Sequence, residues 1–181
     1  MRFEGAGLEG AYLVHLEPFA DDRGLFARTF CAREFAKMGL TYRVAQCNLS
    51  FNHVRGTLRG LHMQVAPAAE SKFIRCISGA IYDVIVDMRP GSKTYRQHIG
   101  VELTAADRTA LYVPEGFAHG YQALTDAAEV MYQVGEFWTP ECEIGFRHDD
   151  PILNIEWPLQ VTAISEKDAS WPLLDRVQVL T

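Results

Sequence analysis

The sequence predicts an all-β jelly-roll barrel with short peripheral helices, and three observations carry that prediction. From Tyr42 onward, short apolar runs recur at roughly ten-residue spacing, as the strands of a sandwich or barrel do. Glycine- and proline-bearing turns separate the runs. Before the C-terminal region, helical composition is convincing only over Arg33–Met38, which Gly39 closes. The expected organisation is one domain over residues 1–181, long enough for a sizeable core.

Taken in order, Ala11–Glu17 is an apolar strand and Leu25–Phe30 a second, joined across the turn composition Asp21-Asp22-Arg23-Gly24. Val44–Phe51 follows, then Leu58–Gln64, a loop through Pro67, and Lys72–Ser78. Gly79-Ala80 is expected to form a tight hairpin into Ile81–Met88, where Ile81, Asp83, Ile85 and Asp87 share one face. After Arg89-Pro90-Gly91-Ser92, strands are expected at Tyr95–Leu103 and Ala110–Val113. The rigid bend Pro114–Gly120 delivers His119. Tyr121–Leu124 and Glu129–Val134 then read as a further hairpin across Thr125-Asp126. Near the C-terminus, Ser165 is placed to cap a short helix, with Asp168 three residues on.

The stretch Gly56–Gln64 presents His62 at the end of an apolar run. Strand alternation puts Leu58, Gly60 and His62 on one face, with Arg59 and Leu61 on the other. A histidine lining a barrel is either a proton carrier near neutral pH or a core residue with a satisfied hydrogen bond.

The formal charge of −6 argues against nucleic acid or an anionic membrane as partner. An anionic ligand therefore requires a locally basic pocket. Cys31, Cys47, Cys76 and Cys142 are scattered without a CxxC pair, which favours reduced thiols in a cytoplasmic protein. Glu4 and Glu9 interrupt any secretory leader pattern. No apolar run approaches the roughly 20 residues that span a bilayer.

Several motifs match a known family in order and spacing: Asp22-Arg23-Gly24, Arg59-Gly60-Leu61-His62, Lys72 with its strand, Val113–Gly120, Glu129–Tyr132, Asp149-Asp150-Pro151 and Ser165–Ala169. Together they closely resemble the dTDP-4-dehydrorhamnose 3,5-epimerase family. The resemblance implies a cupin jelly roll, usually homodimeric, that inverts carbons beside the ketone of a nucleotide-linked 4-keto-6-deoxyhexose without cofactor or metal. It also suggests the N-terminal strands as the exchanged elements of the dimer.

Carried over residue by residue, the resemblance makes His62 the base and Asp168 its orienter. Asp83, whose face the sequence leaves open, competes for that second role. Tyr132 is the acid, a phenol with an unperturbed pKa near ~10 that stays protonated at neutral pH. Lys72 faces the sugar's C4 oxygen, where an enolate charge develops. Arg23, Arg59 and His119 fall at positions that contact phosphates or sugar. Gln46 and Asn48 complete polar recognition; Phe19, Phe26 and Trp138 form the apolar or stacking part; Glu143 lies near the ligand.

The chain departs from the family pattern at Leu25-Phe26-Ala27-Arg28, where Arg28 reverses an expected glutamate. Leu49 replaces a common histidine and His148 a common tryptophan. These changes touch base recognition and raise the expectation of a nucleotide other than thymidine, such as cytidine. Three other readings compete: a single-carbon epimerase or ketoisomerase on the same scaffold, a metal-dependent cupin, and a non-catalytic sugar-nucleotide-binding module. Pro114–His119 keeps half of the metal-cupin motif, but His62-Met63-Gln64 lacks the paired histidine of the other half.

Overall fold

The computed structural model describes residues 1–174 and places thirteen strands and two short helices. The strands are β1 (Arg2–Gly5), β2 (Tyr12–His15), β3 (Phe19–Asp21), β4 (Gly24–Phe26), β5 (Gln46–Asn52), β6 (Leu58–Gln64) and β7 (Lys72–Ser78). They continue with β8 (Ala80–Asp87), β9 (His98–Thr104), β10 (Ala110–Val113), β11 (Phe117–Ala123), β12 (Ala128–Val134) and β13 (Glu143–Gly145). The helices are α1 (Ala32–Lys37) and α2 (Glu166–Ser170).

A six-stranded sheet in the order β1-β2-β10-β7-β12-β5 faces a five-stranded sheet in the order β13-β6-β11-β8-β9. All pairings within them are antiparallel, and the architecture is the expected cupin-like jelly roll. From β5 onward the chain passes from sheet to sheet at every connection except β8–β9.

Two expected hairpins are therefore corrected. Gly79 joins β7 of the larger sheet to β8 of the smaller, and Thr125-Asp126 joins β11 to β12 in the same cross-sheet manner. Each of these strands finds its hydrogen-bonding partners elsewhere: β8 beside β11 and β9, β12 beside β5 and β7. The strand expected at Leu25–Phe30 is also shorter, ending at Phe26, because only that part pairs with β3.

Alternation along the strands divides the apolar residues into three groups. Ile74, Ile81, Ile85, Leu111, Phe117, Tyr121 and Val130 fill the space between the sheets. Leu61, Met63, Val84, Val86 and Ala118 point outward from the smaller sheet and are covered by Phe146, Leu153 and Leu174. On the outer face of the larger sheet, α1 inserts Phe35 against Phe3, Phe73 and Tyr112 at ring separations of 5.3, 5.1 and 5.7 Å. The core thus closes one end of the barrel, and polar inward residues at the other end are left to line a cavity.

Candidate active site

Polar residues replace apolar ones on the inner faces of both sheets at one end of the barrel. From the larger sheet come Gln46, Asn48 and Ser50 of β5, Lys72 of β7 and Tyr132 of β12; from the smaller come Arg59 and His62 of β6 and His119 of β11. They line two adjoining cavities of ≈ 430 and ≈ 450 Å³. His62, Lys72 and Tyr132 belong to both, so they mark the junction, with His62 and Tyr132 on opposing sheets.

The expectation that Arg59 faces away from His62 is overturned by a register shift. His62 pairs with His119 and Arg59 with Tyr121, so two residues of β6, Gly60 and Leu61, oppose the single Gly120 of β11. The extra residue resets the alternation and brings Arg59 to the cavity side. Gly60 makes this possible. Its φ is +107°, and an added Cβ would lie 2.6 Å from the Gly120 Cα and 2.7 Å from the His119 carbonyl oxygen.

His62 Nε2 lies 2.6 Å from Asp168 Oδ1 and donates to it; the Gly60 amide donates to Oδ2 at 3.1 Å. Asp168 sits on α2, whose expected cap forms: the Ser165 hydroxyl accepts from the Asp168 amide at 3.0 Å. The reciprocal half of a capping box is absent because the carboxylate turns to the barrel instead. Burial alone would raise the Asp168 carboxyl, but its bonds to His62, Gly60 and Ser165 outweigh that and hold it below the ordinary value. With Nε2 donating, Nδ1 of His62 is the lone pair left for the cavity.

Behind this pair, Trp171 packs on Gly145, where a Cβ would collide with its ring, and its ring centroid lies 6.3 Å from that of His62. Asp150 accepts from the Ile152 and Leu174 amides at 2.8 and 2.7 Å and so ties down the segment that follows α2. Asp83, the competing orienter, is fully buried and lies 2.9 Å from His119 Nε2, not beside His62.

Lys72, nearly buried, forms an ion pair with Glu70, which lines the second cavity. Arg59 donates from Nε to Asn52 at 2.9 Å, and Asn52 in turn meets the Tyr121 hydroxyl at 3.2 Å. Burial raises the Tyr121 hydroxyl's pKa. In the second cavity Gln46 accepts from the Trp138 amide at 2.6 Å, and Trp138 Nε1 donates to Glu143 at 3.2 Å. Lys167 also donates to Glu143, at 2.6 Å. Burial opposes the charge on Glu143, but the bonds from Lys167 and Trp138 prevail and lower its pKa.

Ten of the thirteen expected site residues thus converge. Asp168, His62, Lys72, Tyr132, Arg59 and His119 line the first cavity; Gln46, Asn48, Trp138 and Glu143 line the second. Phe19, Arg23 and Phe26 stand apart on the exposed β3–β4 arm, where Arg23 pairs with Asp21 at 2.5 Å. Residues the sequence reading passed over are Ser50, Asn52, Glu70, Tyr121 and Lys167. The first two continue the period-two polar stripe begun by Gln46 and Asn48, a signal available without the structure. Among the described residues, no three His, Cys, Asp or Glu side chains converge as metal ligands.

The family model for dTDP-4-dehydrorhamnose 3,5-epimerase matches residues 6–176. The dTDP-4-dehydrorhamnose 3,5-epimerase of Methanothermobacter thermautotrophicus is 43% identical over 173 residues, covering 94% of this chain and 92% of the relative. The dTDP-4-dehydrorhamnose 3-epimerase of Streptomyces niveus is 38% identical over 175 residues, with coverage of 96% and 84%. The Legionella pneumophila dTDP-6-deoxy-D-glucose-3,5-epimerase, solved in complex with dTDP-4-keto-L-rhamnose, superposes with a TM-score of 0.91 at 34% identity, covering 97% and 94% of the two chains. A jelly roll matched over nearly its whole length by sequence and by structure places this chain in the dTDP-4-dehydrorhamnose 3,5-epimerase family of isomerases.

Proposed function

We propose that this chain inverts C3 and C5 of a nucleotide-diphosphate 4-keto-6-deoxyhexose by proton transfer across the barrel. The observation that carries the mechanism is the opposition of an aspartate-backed His62 and Tyr132 around a cavity that also holds Lys72. His62 Nδ1 removes the proton from the carbon next to the C4 ketone, and the released electron pair moves onto the C4 oxygen. The Lys72 ammonium stabilises that enolate oxygen, a role in which one well-placed donor is typically worth about 3–4 kcal/mol. Tyr132 delivers its phenolic proton to the opposite face of the same carbon. Exchange with solvent returns the imidazolium and phenolate to their starting states, and repetition at the other flanking carbon completes the reaction.

Arg59 supplies local positive charge that a diphosphate needs in a chain of net charge −6, and His119 faces the same cavity as a further contact. Gln46, Asn48, Trp138 and Glu143 are assigned to nucleotide and sugar recognition. Phe19 and Phe26 are 77% and 70% exposed, and Leu49 and Phe51 lie bare on edge strand β5, which favours a homodimer in which the arm serves the partner's cavity. The four free cysteines favour a reducing, cytoplasmic setting. A single-carbon outcome is the second reading, motivated by the Streptomyces niveus 3-epimerase at 38% identity; substrate pose relative to His62 and Tyr132 decides between them.

The test is proton exchange in deuterated water, followed by NMR with dTDP-4-keto-6-deoxyglucose. Deuterium should enter at C3 and C5 with inversion, whereas entry at C3 alone selects the second reading. Tyr132→Phe should retain exchange but lose inversion by about 100-fold or more, because the base remains and the acid is gone. Absence of exchange with the unaltered protein on the thymidine-, cytidine- and guanosine-linked 4-keto-6-deoxy sugars removes the proposal.

A further inference from the structure

Two histidines face the first cavity, each backed by an aspartate, and the two aspartates differ in what else they bind. The Asp168 carboxylate accepts from the Gly60 amide in addition to His62, and the Asp168 amide is held by the Ser165 hydroxyl. The carboxylate can therefore hold its negative charge beside a neutral imidazole, leaving Nδ1 of His62 unprotonated. Asp83 has no exposed surface, and among the described residues neither of its oxygens meets a well-aligned donor. Among the described residues its ion-pair partner is His119 Nε2, 2.9 Å from Oδ1 and off the ideal line of a hydrogen bond. Around it lie Ile81, Ile85, Cys76 and the rest of the inter-sheet core.

A buried carboxylate with no other compensation cannot carry a charge beside a neutral ring without a large desolvation cost. The Asp83–His119 pair must then be neutral as a whole, which permits two forms. In one, carboxylate faces imidazolium, and both ring nitrogens bear hydrogen. In the other, Asp83 is protonated and donates to Nε2, so the ring hydrogen sits on Nδ1. Both forms put a hydrogen on Nδ1, the atom with no protein partner among the described residues.

We infer that Asp83 is a positioning residue that fixes His119 as an Nδ1–H donor toward a ligand oxygen, so that only His62 in this cavity can act as a base. The number of additional hydrogen bonds to each backing carboxylate separates the two histidines' roles. The identity of the oxygen, a phosphoryl or sugar oxygen, rests on the proposed function; the proton assignment does not.

The experiment reads the ring nitrogens directly in the full-length protein labelled with 15N-histidine. Long-range proton–nitrogen correlation spectra at neutral pH, with His119 assigned by comparison with His119→Gln, should show a protonated Nδ1 for His119 and an unprotonated one for His62. An unprotonated His119 Nδ1 overturns the inference. This reading is taken without sugar, so a failure of the epimerase proposal would leave it standing, and the reverse holds too. Thymidine diphosphate is then the binding probe. Asp83→Leu, which removes the constraint without adding polar atoms, should weaken its Kd by about tenfold or more. A Kd within twofold of the original rejects the anchoring role. If Asp83→Leu does not fold, the wild-type spectrum alone decides the assignment.

Discussion

Replacing Asp168 with asparagine isolates what the carboxylate does for His62, because size and shape are nearly kept. Asp168 is 5% exposed and takes two directed bonds, from His62 Nε2 at 2.6 Å and from the Gly60 amide at 3.1 Å. Asparagine has one carbonyl oxygen for those two donors. If it stays on Gly60, its amide hydrogens face Nε2, which must then accept, and the ring proton moves to Nδ1, the atom required as base. If it turns to Nε2, the tautomer survives but the forming imidazolium loses its counter-charge. That costs about 1.5–3 kcal/mol for a charged hydrogen bond, or roughly 10- to 100-fold in rate. The tautomer route removes general-base catalysis, about 10²- to 10⁴-fold, equivalent to about 3–5 kcal/mol. The expected outcome is therefore a kcat lowered by about 10²-fold or more in the deuterium-exchange assay. The Kd for thymidine diphosphate, measured calorimetrically, should stay within about twofold, since Asp168 supplies no cation. A kcat within about fivefold of the original would refute the assignment of Asp168 as the orienter.

Three further outcomes follow from other parts of the molecule. Gly60→Ala combines a φ of +107° with contacts of 2.6 and 2.7 Å to the β11 backbone, so it should destabilise the fold by about 3–5 kcal/mol in urea melts; a loss under about 1 kcal/mol would show that the bulge is not constrained. Asp87 is buried among Arg89, Ser92 and Thr94, and although burial raises its carboxyl, those bonds prevail and hold it far below the carboxylate range. A depressed folded pKa contributes stability above the unfolded value near 3.8 that is lost as pH falls below it. Asp87→Asn should therefore cost about 2–3 kcal/mol at pH 7 and progressively less below pH 4, and an unchanged difference at pH 3 would contradict this. Binding of thymidine, cytidine and guanosine diphosphates, compared by calorimetry, tests the expectation from sequence that Arg28, Leu49 and His148 shift base choice away from thymidine; a clear thymidine preference removes it.

Much of the site was legible because its chemistry is tied to local pattern. The polar stripe Gln46 and Asn48 follows from strand alternation, and the Ser165 cap from the three-residue offset to Asp168. The bounds of β6, β7 and β10 also coincide with apolar runs between turn residues. The two misread hairpins have a common cause. Glycine or Thr-Asp at a connection marks a reversal of the chain but does not say whether the next strand pairs in the same sheet or crosses to the facing one. The face of Arg59 was misread because one inserted residue inverts a period-two pattern, and only the partner strand reveals the insertion.

The sequence alone determined an all-β barrel, the residue types needed for proton transfer beside a ketone, and the family to which those motifs point. Tertiary structure decided which aspartate backs which histidine, that Tyr132 faces His62 from the other sheet, and that Phe19, Arg23 and Phe26 stand outside the chain's own cavity. The division has a physical reason. Alternation and capping act over a few neighbouring residues and leave a local imprint. The pairing of His62 with Asp168 spans 106 residues and exists only once two sheets and a terminal helix have packed together.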